Sequence, residues 1–228
     1  EGNNLIITAR NGDNLKLLKK EIGRISSGVD IRFACMDFSD PETHSILGED
    51  EDITISGLVI MPPQIPATDG CFPDNSVWED IFKTSFIGPI NFIKQCVPFM
   101  DKTRIVIVSG ISSAQVLSNY ATSNVLRTAW LGQAKTMAAV LGPKGIHVNT
   151  LSLGGVMTDK YKGRVESRAA ANGVSFDEQM LDETSNVPLR KYASTQEVSA
   201  AIGQLLGPMS DHFTGHNFIC DGGFTRAY

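Results

Sequence analysis

Two side chains that could take part in acid–base chemistry, the phenol of Tyr120 and the guanidinium of Arg127, lie near the middle of the chain at a spacing of two helical turns. Tyr120 precedes Arg127 by seven residues, at the start of a segment whose apolar pattern predicts a helix over Thr122–Leu141. Residues i and i+7 share one face of a helix, so both side chains can point into one site. A free phenol has a pKa of about 10, and a neighbouring cation lowers that pKa because it favours the phenolate. This pair can therefore exchange a proton with a substrate oxygen, with Tyr120 as the acid–base group.

The elements that must position these groups alternate between strand and helix along the whole chain. Apolar runs predict strands over Asn4–Thr8, Asp30–Met36, Gly57–Met61, Arg104–Val108, Ile146–Leu151 and Asn217–Cys220. Helical spacing predicts further helices over Asp13–Ile22, which Gly23 would stop, over Val77–Met100, from Thr195 to Leu206, and in pieces over Tyr161–Thr184. This alternation predicts one α/β domain over residues 1–228, with helices on both faces of a parallel sheet.

Several segments, in order and at matching spacing, resemble the short-chain dehydrogenase/reductase family. They include LIITARN at Leu5–Asn11, WEDIFKTS at Trp78–Ser85, and Asn149, Gly154 and Thr158 in the pattern V-N-x-x-x-P-G-x-x-x-T, where Leu153 replaces proline. The resemblance is to members like 3-oxoacyl-acyl-carrier-protein reductase. It implies a Rossmann-like doubly wound sheet and an NAD(P)(H)-dependent oxidoreductase that acts on a carbonyl, alcohol or enoyl substrate.

The same resemblance assigns the residues that would hold a cofactor. Arg10 stands where a basic residue favours a 2′-phosphate, which implies NADP(H) rather than NAD(H). Asp37 stands where the family's aspartate approaches the adenine ring, and Phe38 follows it. The other cofactor positions are Arg127, Gly154, Val156 and Thr158. Ile60–Pro63 replaces the family's N-N-A-G segment, so the alternative of no bound cofactor stays open.

The usual catalytic positions are all substituted. A gapless match to the family through Arg127–Asn149 puts Arg127 at the position of the catalytic lysine. Counting back from it puts Ser123 at the position of the tyrosine and Gly110 at that of the serine. Ser85 stands at the position of the asparagine. Ser112 is a candidate substitute for the missing serine hydroxyl. The seven-residue spacing from Tyr120 to Arg127 is similar to the Y-x6-K of divergent enoyl-acyl-carrier-protein reductases. Two interpretations follow: an atypical oxidoreductase that uses Tyr120, or a non-catalytic structural partner or nucleotide-binding regulatory module.

Composition and charge limit the partners of the chain. The net charge of −5 without a Lys/Arg cluster gives no support for binding nucleic acid or an anionic membrane. The four histidines have no metal-ligand spacing, and no leader-like segment opens the chain, so we expect a cytoplasmic protein without a metal. The family resemblance implies a homodimer or homotetramer built on Val77–Met100 and Thr122–Leu141, and a mobile substrate lid over 159–187.

A gap in the predicted sheet is the least usual feature of the sequence. In strand order 3-2-1-4-5-6, Asn4–Thr8 fits strand 2 and no segment fits strand 1. Two buried strand edges would then lack partners, at a cost of about 1–3 kcal/mol for each unsatisfied group. We therefore expect a further strand, glycine-rich turn and helix of about 25–30 residues to precede Glu1.

Overall fold

The computed structural model describes residues 3–26, 28–45, 53–68 and 70–226. The first part contains strand β1 (Leu5–Ala9), helix α1 (Gly12–Ile25), strand β2 (Ile31–Cys35) and strand β3 (Ile55–Ile60). Helices α2 (Asn75–Phe82) and α3 (Gly88–Cys96) then lead to strand β4 (Met100–Gly110), helix α4 (Ala121–Leu141) and strand β5 (His147–Leu153). The last part contains strand β6 (Val156–Met157), helices α5 (Asp159–Asn172) and α6 (Phe176–Glu183), strand β7 (Ala193–Ser194), helix α7 (Thr195–Leu206) and strand β8 (Asn217–Cys220).

The described strands pair in parallel, in one four-stranded and two two-stranded sheets, and the predicted α/β fold class is confirmed. β3, β4, β5 and β8 pair side by side in parallel, and β1 pairs in parallel with β2. Within the described residues no strand joins β1 to β3. The edges of these two strands instead line a shared cavity of about 1770 Å³.

Two layers of apolar side chains hold the sheet between helices. Successive residues of a strand point to opposite faces, so Ile105 and Ile107 of β4 pack on one side and Val106 on the other. On the first side α4 contributes an apolar stripe at helical spacing, made of Leu126, Trp130, Ala134, Met137 and Ala138. On the second side Leu205 of α7 covers Val106. These layers fix α4 against the strand end that carries the candidate site.

The structure corrects two predicted helices and adds two short strands, for identifiable reasons. The predicted helix over Val77–Met100 is interrupted by a π-helical turn at Lys83–Ile87, and its last residue starts β4. α1 continues through Gly23, because helix ends depend on the cap and Ser26 closes it by donating its N–H to the carbonyl of Ile22. The two-residue strands β6 and β7 were not predicted, since two residues show no periodicity.

Among the described residues no helix has the combination of length and apolar character that crossing a bilayer requires.

Candidate active site

The carboxyl end of β4 brings two serine hydroxyls together. Ser112 follows β4 in a short 3₁₀ turn, and Ser123 lies in the first turn of α4. Their Oγ atoms are 2.9 Å apart and both residues are buried. These two candidates therefore share one hydrogen bond, a pairing that their separation in sequence did not predict.

The guanidinium of Arg127 lies beside this pair, over the end of β4. Arg127 is one helical turn beyond Ser123, and its Nη1 donates a hydrogen bond to the carbonyl oxygen of Val108 at 3.3 Å. A Cβ on Gly110 would lie 3.7 Å from the Nε of Arg127. A side chain at this position would therefore be in ordinary van der Waals contact with the guanidinium, and Gly110 leaves that side of it uncovered. Burial lowers the pKa of this guanidinium below its ordinary value.

Tyr120 occupies the residue just before α4 and is 37% exposed. Its backbone N–H donates to the carbonyl of Leu117 at 3.2 Å, and its own carbonyl accepts from the N–H of Asn124 at 2.8 Å. The amide side chain of Asn124 holds the loop before α4 in place, because it donates a hydrogen bond to the carbonyl of Leu117 and accepts one from the N–H of Leu117. Within the described part of the chain no hydrogen bond or ring contact joins Tyr120 to Arg127. The catalytic role of Tyr120 stays a prediction.

A π-helical turn presents the residue at the family's asparagine position. Ser85 is buried in the turn Lys83–Ile87, and the indole Nε1 of Trp130 donates to its carbonyl oxygen at 3.0 Å. Thr84 lies 3.4 Å from the Ser85 hydroxyl, oxygen to oxygen, and both residues line the large cavity. π-helical turns occur frequently at functional sites, and here Trp130 keeps the turn in place from the core.

The opposite end of the cavity gathers the residues predicted to hold the adenosine of a cofactor. Arg10 follows β1, Asp37 and Phe38 come after β2, and all three line the cavity. The Asp37 carboxylate accepts hydrogen bonds from the hydroxyl and N–H of Ser39, at 2.7 and 2.8 Å. These bonds lower the pKa of Asp37, and the charge of Arg10 lowers it further. A cation and a carboxylate therefore lie together where the sequence predicted them.

Gly88 is a site-forming residue that the sequence did not reveal. A Cβ on this buried glycine would lie inside contact distance of the Phe38 carbonyl oxygen and 2.6 Å from its carbonyl carbon. The start of α3 therefore supports the backbone of Asp37 and Phe38 directly. Its only sequence signal is a Gly-Pro pair at Gly88–Pro89, which is common in loops and helix starts.

The three cofactor positions after β5 have mainly structural contacts. Gly154 faces Asp221, whose Cα would lie 2.8 Å from an added Cβ. Val156 pairs with Ala193 across β6 and β7. Thr158 caps α5, since its Oγ1 accepts from the N–H of Tyr161 at 3.2 Å. These contacts fix the backbone where the chain leaves β5 and enters the segment predicted to be a lid.

A charged network joins the two helices of that segment. The carboxylate of Glu183 on α6 accepts from both Nε and Nη2 of Arg168 on α5, at 2.7 and 2.8 Å. It also accepts from the hydroxyl of Tyr161 at 2.8 Å and the amide of Gln179 at 3.0 Å. Burial alone raises the pKa of Glu183, but the bonds from Arg168, Tyr161 and Gln179 outweigh it and the pKa is lowered. The network makes α5 and α6 one structural unit.

We expect Glu183→Gln to lower the free energy of unfolding by about 1–3 kcal/mol, since hydrogen bonds to charged groups contribute about that much. Glu166→Gln, on the exposed side of α5, is the matched control and should change little. The pKa of Glu183 in the folded protein lies below its ordinary value of 4.5. The stabilisation of the folded state by this carboxylate is therefore fully present above pH 4.5 and is lost as the pH falls through the folded-state pKa. Urea unfolding of both variants at pH 7 and pH 4 measures this, and an equal loss in the two variants would contradict it.

Together these features define an α/β protein with a candidate site at the carboxyl end of its parallel strands. A family model described as enoyl-(acyl carrier protein) reductase matches residues 52–225. The chain belongs to the short-chain dehydrogenase/reductase family and is an oxidoreductase of that type. The resemblance seen in the sequence is thereby confirmed.

Three similar proteins illustrate the match. NADPH-dependent reductase BacG of Bacillus subtilis is 25% identical over 98% of this chain and 88% of that protein. Enoyl-[acyl-carrier-protein] reductase [NADH] FabI of the same organism is 29% identical, over 58% of this chain and 48% of that protein. A short chain oxidoreductase from Pseudomonas aeruginosa, solved with NADPH and reported to contain an atypical catalytic center, superimposes with a TM-score of 0.88. It is 20% identical over 99% of this chain and 88% of that one, so it shows the fold alone.

Proposed function

We propose that this protein is an NADP(H)-dependent reductase of a carbonyl or enoyl compound. The observation that carries the proposal is the single cavity that runs along the sheet from Arg10 and Asp37 to Thr84 and Ser85. It therefore connects a cation suited to a 2′-phosphate with the position of a family catalytic residue. The similarity to an NADPH-dependent reductase over nearly the whole chain supports NADP(H) over NAD(H).

Each candidate residue then has a separate role in the proposed reaction. A bound NADPH supplies the hydride. Arg10 carries the charge that recognises the 2′-phosphate, and Asp37 lies on the adenine side of the cavity. Tyr120 gives the proton to the substrate oxygen, and Arg127 supplies the positive charge that favours the resulting phenolate. Because an arginine keeps its proton, Arg127 acts through its charge and its N–H donors rather than by passing on a proton.

Turnover tests this proposal directly. NADPH oxidation is followed by absorbance with a panel of ketones, aldehydes and enoyl thioesters. Consumption that depends on both the protein and one member of the panel supports the reductase. NADPH that binds and is never consumed with any of them would contradict it.

A non-catalytic role is the second candidate, because one specific set of residues favours it. None of the positions Ser85, Gly110, Ser123 and Arg127 has the family's usual residue. Met61 is 61% exposed and Pro63 lines the cavity, where the family has its N-N-A-G segment. Proline has no N–H to donate to a cofactor. Such a protein would bind a nucleotide as a regulatory module or serve as a structural partner.

We also propose that the protein assembles into a homodimer or homotetramer. Trp130 and Met137, on the second of the two helices expected to pair, are buried in the chain's own core. Val125 and Val140 of α4 remain 48% and 67% exposed, and Ile87 beside α3 is 51% exposed. Pairing these helices with a second copy would cover this apolar surface, in the cytoplasmic setting that we expect.

We further propose that a strand of the same polypeptide fills the gap between β1 and β3. Both edges face the cavity, and apolar residues such as Ile7, Leu58 and Ile65 line it. The strand would fill only the part of the cavity between the two edges, and Arg10 and Asp37, which come after the carboxyl ends of β1 and β2, would remain beside a bound cofactor. Hydrogen exchange in the full-length protein tests this arrangement. Slow exchange of the amides on both facing edges supports an inserted strand, and fast exchange like that of an exposed edge would contradict it.

A further inference from the structure

The charge of Arg127 has no counter-ion in the described part of the protein. Its guanidinium makes one hydrogen bond, to the neutral carbonyl oxygen of Val108. The ion pairs of the described residues involve other cations, namely Lys16, Arg32, Arg104, Arg168 and Lys191. A guanidinium has five N–H donors, so most of its hydrogen-bonding capacity remains unused.

This charge lies in a partly buried setting at the end of a strand rather than on the open surface. The side chain of Arg127 is partly buried, and that burial lowers the pKa of the guanidinium. Gly110 leaves the space beside Nε free of any side chain, at the carboxyl end of β4. Ser123 lies one helical turn before Arg127 on α4, and its buried hydroxyl is hydrogen-bonded to that of Ser112 in the turn after β4.

Partial burial of an unpaired charge is costly, and the neutral groups on this surface do not offset that cost. The ribose hydroxyls of a cofactor are also neutral, so cofactor binding alone would leave the charge uncompensated. A carboxylate is the group that matches a guanidinium in both charge and planar two-point geometry. Arginine with free donors next to a reaction centre is therefore suited to hold an anionic substrate.

We propose that Arg127 binds a carboxylate of the substrate, so that the reduced compound is a carbonyl or enoyl compound that carries a carboxylate. This inference rests on the proposed function for the position of the reacting group. The carboxylate contact itself depends only on Arg127 and its neighbours. It narrows the substrate class to small organic acids and disfavours neutral ketones.

Benzoate and benzamide are suitable probes, because they share one shape and differ in charge. Ligand-observed NMR gives the dissociation constant of each, in the cofactor-free protein and with NADPH present. We expect benzoate to bind at least ten times more tightly than benzamide. Arg127→Gln should remove that preference, and Arg127→Lys, which keeps a charge in the same place, should retain part of it. Arg24→Gln removes a charge from an exposed turn of α1 and is the matched control.

Equal affinity for benzoate and benzamide would overturn the inference. A benzoate preference that survives in Arg127→Gln would also overturn it, because the anion would then lie elsewhere. NADPH affinity, measured in parallel, separates this inference from the proposed function. If NADPH binds normally but benzoate binds no more tightly than benzamide, only the carboxylate site is rejected. If benzoate binds more tightly through Arg127 but NADPH does not bind, only the proposed reductase function is rejected.

Discussion

Replacing Gly88 with alanine is expected to lower the free energy of unfolding by about 3 kcal/mol, at the upper end of the cost of overpacking. The added Cβ would meet the backbone of Phe38, which has no rotamer by which to move away. The shift would displace Asp37 and Phe38 from the cavity wall, so NADPH affinity should fall at least tenfold, or about 1.4 kcal/mol.

Gly132→Ala is the matched control for this change. Gly132 is also a helical glycine, in α4, and an added Cβ there would have no neighbour within 4 Å. Alanine should stabilise that helix by about 0.5–1 kcal/mol, because glycine loses more conformational freedom on folding. Thermal unfolding and NADPH titration of both variants check the prediction. Equal stability of the two variants would show that α3 does not press on Phe38.

Replacing Tyr120 with phenylalanine should lower kcat about 100-fold or more, since a positioned general acid contributes about 10²–10⁴-fold. The variant keeps the ring and loses only the hydroxyl that would give the proton. NADPH affinity should remain unchanged, because Tyr120 is not among the residues that line the cavity with Arg10 and Asp37.

Tyr161→Phe is the matched control, because it removes the hydroxyl of a tyrosine that is not suited to act as a general acid. Its hydroxyl donates to Glu183 at 2.8 Å, and burial together with that bond raises its pKa. We expect a small loss of stability there and near-normal turnover. Full activity in Tyr120→Phe would remove Tyr120 from the mechanism and leave the hydroxyls of Ser112 and Ser123 as the remaining candidates.

The parts of the fold that follow from local patterns were predictable. Both α7 and β8 have the bounds that the sequence indicated, because a capping residue and a turn mark their ends. The gap beside β1 also followed from counting strands against a known order. The π-helical turn was not predictable, since its apolar spacing resembles that of a continuous helix and Trp130 holds it through a tertiary contact.

The sequence named candidate site residues, whose roles stay predictions, but it could not give the contacts between them. Strand ends pointed to Arg10 and Asp37, and the structure brings them to one cavity. The hydrogen bond between Ser112 and Ser123 depends on how a loop folds back onto α4, and sequence spacing does not determine that path. The packing of Gly88 on Phe38 joins segments that are 50 residues apart, so no local pattern could reveal it.

The most direct test of the proposed reductase is a titration of the full-length protein with NADPH and with NADH, followed by nicotinamide fluorescence. We predict that NADPH binds at least ten times more tightly than NADH, and that Arg10→Gln abolishes this difference while Arg24→Gln preserves it. Failure to bind either dinucleotide, or equal binding of both by the unmodified protein, would contradict the assignment of an NADP(H)-dependent enzyme.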